Sequence, residues 1–321
     1  MAPKVAILLC NLGTPTEPTP KGVRQFLRPF LSDKRVIEVP AWIWQIILNA
    51  IIIPFRAKPV AHGYQSIWQA YGDSPLRAIT QAQVDGLQMR LSDRALVDYA
   101  FTYGKPSIAQ QLERYRCQVD TVVLLPLYPQ YSATTTAAIF DQVSRYQLQQ
   151  RDVVDVYIFK QYYHTQAYQE ALAHSVRDFW RVHGQSEYLL TSFHGIPQAY
   201  GDKGDPYPKQ CHATANALAE QLHLSGDKTG ISFQSRLGRA KWLTPYTVEY
   251  VQELASQGIK TVDVVCPSFS ADCLETLEEI SEEIHEAFCS AGGERLRLIP
   301  CLNASDAHID MMATLVDSWA I

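Results

Sequence analysis

Two stretches of the chain carry side chains whose types and spacing could do chemistry. Ser192-Phe193-His194-Gly195-Ile196-Pro197 places a histidine where an apolar run gives way to a Gly- and Pro-bearing turn. A neutral imidazole binds a transition metal or takes a proton near neutral pH, and the following Gly and Pro fix the loop that presents it. A lone histidine is more often a satisfied core or surface residue; the strand-to-loop placement is what argues for more here.

The second stretch begins Asp272-Cys273-Leu274-Glu275-Thr276-Leu277-Glu278-Glu279 and continues through Glu282, Glu283 and Glu286. Read as one α-helix at roughly 100° per residue, Glu275, Glu279, Glu282 and Glu286 fall within about 60° of one another. Leu274, Leu277, Ile280, Ile284 and Phe288 form the opposite, apolar stripe. A solvated acidic face, with Asp272 as N-cap and Glu275 closing a capping-box-like motif, explains Glu283 and Glu286 well. It explains the first turns less well, because repeated like charges at i,i+4 cost a helix a few tenths of a kcal/mol each. A row of carboxylates could instead bind a cation or carry protons, since neighbouring carboxylates raise one another's pKa. The sequence leaves both readings open. A third signal is aromatic: Tyr64, Tyr71, Tyr103, Tyr128, Tyr131, Trp242 and Phe269 lie in or beside loops. That distribution suits a flat apolar ligand, although most such residues are ordinary core.

The elements that must position these groups read as strands alternating with helices. Strands are expected at Val5–Leu9, Val97–Tyr103, Thr121–Leu125, Val153–Phe159, Tyr188–Phe193, Gly230–Phe233, Thr261–Cys266 and Arg295–Ile299. Helical periods fall at Ala109–Arg116, Thr135–Gln149, Ala167–Val182, Lys209–Leu222, Pro245–Ser256 and Asp272–Cys289. Such alternation predicts an α/β fold with parallel sheets flanked by helices, and ligands then bind at the carboxyl ends of the strands. The halves echo each other. VAILLCNLGTP at Val5–Pro15 resembles YLLTSFHGIP at Tyr188–Pro197, and TVVLLPLYPQYSAT resembles TVDVVCPSFSAD. Two similar Rossmann-like lobes facing one cleft are expected, residues 1–160 and 161–321, with the last helix packing back on the first lobe.

Composition narrows the function. With 28 Lys+Arg against 33 Asp+Glu, and no basic stripe, nucleic-acid binding is not expected. The seven cysteines are odd in number and never form a CxxC pair, which fits neither a disulfide framework nor a zinc knuckle. GxGxxG, GxxxxGK[ST] and GxSxG are all missing. The opening MAPKVAILLC suits a strand better than a signal peptide, so a cytoplasmic protein is expected. Residues 41–55, AWIWQIILNAIIIPF, are uncharged and end at Pro54–Phe55. They are short for a membrane span, which needs about 20 residues. Either they form a buried helix that Pro54 terminates, or an apolar lip that docks on a membrane face through Trp42 and Trp44.

The blocks NLGTP, FLSDKRV, GDSPL, LPLYPQYS, SFHGIP, GDPYPKQC, FQSRLG, WLTPYT and DCLETLEEI resemble those of the ferrochelatase family, in the family's order, from about Val5 to the C-terminus. The resemblance implies a lyase that inserts Fe(II) into protoporphyrin IX, giving protohaem and two protons at the end of haem biosynthesis. His194 matches the active-site histidine, as metal ligand or proton acceptor, and Glu275 its partner carboxylate. Asp272 and Glu279 match residues of a proton or metal path. Leu12, Tyr64, Ser74, Tyr103, Trp242 and Phe269 match porphyrin-binding positions, and the stretch 41–55 matches a lip that touches the inner membrane face. No prosthetic group is implied, iron being the substrate. The ending DSWAI lacks the cysteine-bearing extension that carries an iron–sulfur cluster in some members. Leu12 replaces the Tyr of relatives that metallate coproporphyrin, favouring protoporphyrin. Thr102 replaces an Arg of some relatives, leaving Arg56 or Lys58 beside the lip as candidates for the propionates. The competing expectations are a coproporphyrin chelatase, a cobalt or nickel tetrapyrrole chelatase, a two-lobed small-molecule binding protein and a non-catalytic haem carrier.

Overall fold

The computed structural model describes residues 4–238 and 240–320; Met1–Pro3 of the opening run and the final Ile321 lie outside the described residues. The chain divides into two compact units, one running to Gln161 and taking in Met312 onward, the other Tyr162–Met311.

In the first unit β1 (Val5–Asn11), β2 (Leu96–Phe101), β3 (Thr121–Pro126) and β4 (Asp155–Ile158) form one sheet in the order β2-β1-β3-β4. Every pairing is parallel, with Val5 opposite Thr121 and Ala6 opposite Leu96. All seven residues of β1 are buried, as expected of a strand covered on both faces. Ala6, Leu8 and Cys10 pack with Ile108, Leu112, Ile139 and Val143 into one core. The helices of this unit are α1 (Pro20–Ser32), α2 (Ala41–Ile47), α3 (Ile53–Tyr71), α4 (Pro75–Leu91), α5 (Ile108–Tyr115) and α6 (Thr136–Gln147).

The second unit repeats the plan. Strands β5 (Tyr188–His194), β6 (Thr229–Gln234), β7 (Thr261–Val265) and β8 (Arg295–Leu298) run parallel in the order β6-β5-β7-β8. Around them lie α7 (Gln166–His183), α8 (Gln198–Asp202), α9 (Tyr207–Gln221), α10 (Thr247–Ser256), α11 (Leu274–Leu277) and α12 (His285–Ser290), and α13 (Asp306–Val316) carries the chain on from Tyr162–Met311 to the first unit. Tyr188 and Leu190 face one core with Ile280, Ile284 and Phe288, and Phe193 faces the other with Tyr207 and Cys211. The internal repeat extends to detail: Phe101 N–H bonds Pro106 C=O after β2, and Phe233 N–H bonds Pro245 C=O after β6.

Two local expectations are corrected. Pro54 does not end a helix. A π-helical turn, Leu48–Ile52, joins α2 to α3, and Pro54 sits in the first turn of α3, where a missing N–H is tolerated. Nor is this stretch a buried helix. Trp42, Ile46 and Phe55 are 73%, 65% and 75% exposed, while Leu48 and Ile53 anchor it to Leu31. Trp44 is held by its indole N–H on Leu31 C=O at 2.5 Å. By length and composition alone, the helical run from Ala41 to Arg94 is apolar enough to cross a membrane.

The second correction concerns the acidic segment. It is no single α-helix: α11 gives way to a π segment, Glu279–Ile284, before α12. Hydrogen bonds spanning five residues, such as Glu283 N–H to Glu278 C=O, turn each residue through less than the α-helical angle, so the expected row of carboxylates splits. Glu275 and Glu279 are half-buried, whereas Glu282, Glu283 and Glu286 are exposed.

Candidate active site

In a parallel sheet of this order the chain leaves β5 for opposite sides to make β6 and β7, so the carboxyl end of β5 lies at the switch point where such folds bind ligands. His194 is the last residue of β5. Its backbone N–H donates to the Ser268 hydroxyl in the loop after β7 (3.2 Å), and its C=O accepts from the Tyr207 hydroxyl (3.0 Å). The ring is turned so that Nδ1 lies 2.6 Å from Gly195 C=O. A carbonyl only accepts, so Nδ1 carries a proton, and in the neutral ring Nε2 presents the lone pair. The Phe269 ring stands 6.3 Å from the imidazole. Gly195 is needed beside it: a Cβ there would come within 2.9 Å of Gln234 C=O and 3.2 Å of the Trp242 ring.

The carboxylates approach from the π segment. Glu279 accepts from Ser235 N–H (2.8 Å), from the Ser235 hydroxyl and from the Gln234 amide (3.2 Å). Burial raises its pKa above the ordinary carboxylate value, and the Ser235 and Gln234 donors oppose that rise, as does His194 whenever its ring is protonated. Gln234 is the hub. Its amide N–H also holds Glu275 C=O at 2.6 Å, and its oxygen accepts from the Ser192 hydroxyl at 2.8 Å. Glu278, beside this group, is pushed up to about 7 by burial and then by the charges of Glu283, Glu282, Glu279 and Glu275. Sequence reasoning gave no role to Gln234, Ser235 or Ser268. The available signal was the polar QS pair ending β6, where Ser235 takes a φ of +65°.

Asp272 is not the N-cap expected of it. Cys273 caps α11, with Thr276 closing the box, and Asp272 accepts from Thr276 (3.1 Å), Cys301 N–H (3.2 Å) and the Asn303 amide (2.6 Å). Its oxygens are engaged in holding loops together. Trp242 is half-buried, with its indole N–H on Leu237 C=O at 2.9 Å. Among the described residues no three His, Cys, Asp or Glu side chains form a ready metal cage.

Four of the expected site residues lie in the first unit: Leu12 and Tyr103 follow β1 and β2, Ser74 precedes α4, and Tyr64 lies within α3. Leu12 follows β1, and its C=O accepts from Tyr103 N–H at 2.7 Å. Gly13, at φ +108°, permits this: a Cβ would sit 2.0 Å from Tyr103 O. Ser74 shares a 2.7 Å hydrogen bond with Thr14, and Arg77 donates to Pro15 C=O, so the GDSPL block grips the NLGTP loop. Tyr103 is buried, its hydroxyl donating to Asp33 (2.8 Å), and Tyr64 is buried edge-on against Trp68. Arg56 and Lys58 are exposed on α3.

Two parallel four-stranded sheets flanked by helices, with a histidine and carboxylates at a switch point, define a chelatase-type fold. Solved structures share the fold. SirB from Bacillus subtilis with Fe3+ superposes with a TM-score of 0.56 at 14% identity, covering 99% of this chain and 96% of that one. CbiX, the terminal enzyme for biosynthesis of sirohaem in denitrifying bacteria, gives 0.53 at 11% identity and 98% coverage of both. The ferrochelatase family profile matches residues 4–319. A ferrochelatase of Psychrobacter cryohalolentis is 49% identical over 100% of this chain and 97% of its own, and ferrochelatase 1 of Shewanella oneidensis 48% identical over 99% and 98%. The chain belongs to the ferrochelatase family and is a lyase of haem biosynthesis.

Proposed function

We propose that the chain inserts Fe(II) into protoporphyrin IX, with His194 and Glu275 acting on the macrocycle nitrogens and the metal, and Glu279 leading protons away. A free porphyrin holds two N–H protons in its centre, and replacing them with Fe2+ yields the metalloporphyrin and two H+. An active site that binds a distorted macrocycle better than a flat one exposes the pyrrole lone pairs. The observation that carries this reading is the 2.6 Å approach of His194 Nδ1 to Gly195 C=O, which in the neutral ring leaves the Nε2 lone pair to take a pyrrole proton or a metal ion. Glu279, ringed by the Ser235 and Gln234 donors, is a carboxylate whose proton affinity burial has raised, which supports a role in receiving protons.

Leu12 supports protoporphyrin over coproporphyrin, since an apolar side chain favours the less carboxylated macrocycle. Iron enters as substrate with no change of oxidation state, so the reaction itself calls for no redox group. The exposed Trp42, Ile46 and Phe55 support peripheral contact with a membrane from the cytoplasmic side. The test is anaerobic mixing with protoporphyrin IX and ferrous iron, with coproporphyrin III in parallel, followed by visible absorbance. Haem formation that favours protoporphyrin is expected. Faster metallation of coproporphyrin would remove the specificity assigned to Leu12, and porphyrin binding with no metallation would turn the protein into a carrier.

A further inference from the structure

Asn303, in the loop between β8 and α13, is held at each of its polar groups. Its N–H donates to Ser270 C=O (3.1 Å), and its C=O accepts from His308 Nδ1 (2.5 Å). Its side-chain oxygen accepts from Asp272 N–H (2.8 Å), and its amide donates back to the Asp272 carboxylate (2.6 Å). The residue adopts φ +47°, a conformation that Asn tolerates better than most side chains. His308 is wholly buried and stays neutral, its pKa pushed down to about 4, so its Nδ1 donor is permanent at physiological pH.

The clasp matters because of what it holds. Helix α11 has four residues, too few to be stable on its own, and the π segment follows directly. Its placement is set at its start, where Asp272 receives the Thr276 hydroxyl and Cys301 N–H on one oxygen and Asn303 on the other. Thr276 is the neighbour of Glu275. We infer that Asn303 is a positioning residue for metal insertion: its two-point clasp on Asp272 sets the start of α11 and thereby the place of Glu275, and Asp272 serves as an anchor and passes no proton. This rests on the reading of Glu275 as a carboxylate that acts on porphyrin or metal.

Exchanging the two side chains tests it. Asp272→Asn with Asn303→Asp restores every hydrogen bond of the clasp with the polarity of one reversed, and it leaves no carboxylate at position 272. Asn303→Gly keeps the left-handed backbone and removes the clasp. In Asn303→Gly, kcat for iron insertion falls roughly tenfold to a hundredfold with KM for protoporphyrin little changed, as expected of a displaced catalytic group. Each single exchange is slow, and the double exchange returns to within about threefold of the parent, the non-additivity of a contacting pair. The inference is overturned if the double exchange is as slow as Asp272→Asn alone, which would make the Asp272 carboxylate a proton carrier. It is equally overturned if folded Asn303→Gly keeps full kcat; should that variant not fold, the double exchange decides. Glu275→Gln, assayed beside them, separates the two levels. Full activity there removes the reading of Glu275 itself, whereas loss there with an unaffected Asn303→Gly removes only the clasp.

Discussion

Ser235 and Glu279 face each other with the Ser235 N–H on one carboxylate oxygen at 2.8 Å and its hydroxyl on the other. The pairing joins the end of β6 to the π segment and supplies two of the donors that favour the ionised form of a half-buried carboxylate. Ser235→Ala removes the hydroxyl and leaves desolvation less opposed, so the pKa of Glu279 rises further. The acidic limb of the kcat–pH profile then moves to higher pH. Chemical denaturation should show a loss of about 1–2 kcal/mol, the cost of a donor removed from a charged acceptor. An unshifted limb would separate Glu279 from the proton path.

Glu278 makes the stability of the protein depend on pH in an unusual direction. Its folded pKa, about 7, lies above the unfolded carboxylate value, so the folded state binds the proton more tightly. The penalty for keeping it ionised is absent at pH 4, grows between the two pKa values and is complete above pH 7. Glu278→Gln is therefore expected to stabilise the protein at pH 8 by about 1 kcal/mol, discounted for the solvent screening of a half-exposed group, and to change little at pH 4. Thermal melts at both pH values decide it, and equal effects at the two would contradict the assignment.

Gly13 carries the turn after β1. With φ +108° and Tyr103 C=O where a Cβ would go, Gly13→Ala must displace the loop bearing Leu12. A loss of about 2–4 kcal/mol is expected from the combined strain and overlap, read as a drop in denaturation midpoint. A neutral substitution would mean that the loop is freer than these contacts allow.

The exposed apolar side chains of α2 and α3 should be dispensable for folding. Replacing Trp42 and Phe55 together by Ser is expected to change stability by about 0.5 kcal/mol or less, as for other exposed sites, while weakening co-sedimentation with phospholipid vesicles. Unchanged sedimentation would assign the lip no part in membrane contact.

What the sequence made legible follows from how each element is stabilised. Strands such as β1 and β5, buried on both faces, must be continuous apolar runs, and the strands expected at Val5–Leu9 and Tyr188–Phe193 fall on them. The His194 loop was legible for the same reason, because the apolar run stops at His194. The geometry of the carboxylates was not. A π segment leaves no mark in hydrophobic periodicity that tells it from an α-helix, so Glu282 and Glu286 were grouped with Glu275 although they face solvent. The role of Asp272 depends on Cys301 and Asn303, some thirty positions away, which no local rule brings together. Pro54 reads as a terminator only if the preceding helix is α throughout, and the π turn before it removes that condition.

The central claim is that the Nε2 lone pair of His194 takes part in metal insertion. The direct measurement is single-turnover mixing of His194→Ala with protoporphyrin IX and ferrous iron under anaerobic conditions, beside the parent protein, with porphyrin binding followed separately by fluorescence. The account predicts porphyrin binding within a fewfold of the parent and haem formation slowed by roughly two orders of magnitude or more, the usual loss for a positioned proton acceptor. Haem formation by His194→Ala at the parent rate would contradict it.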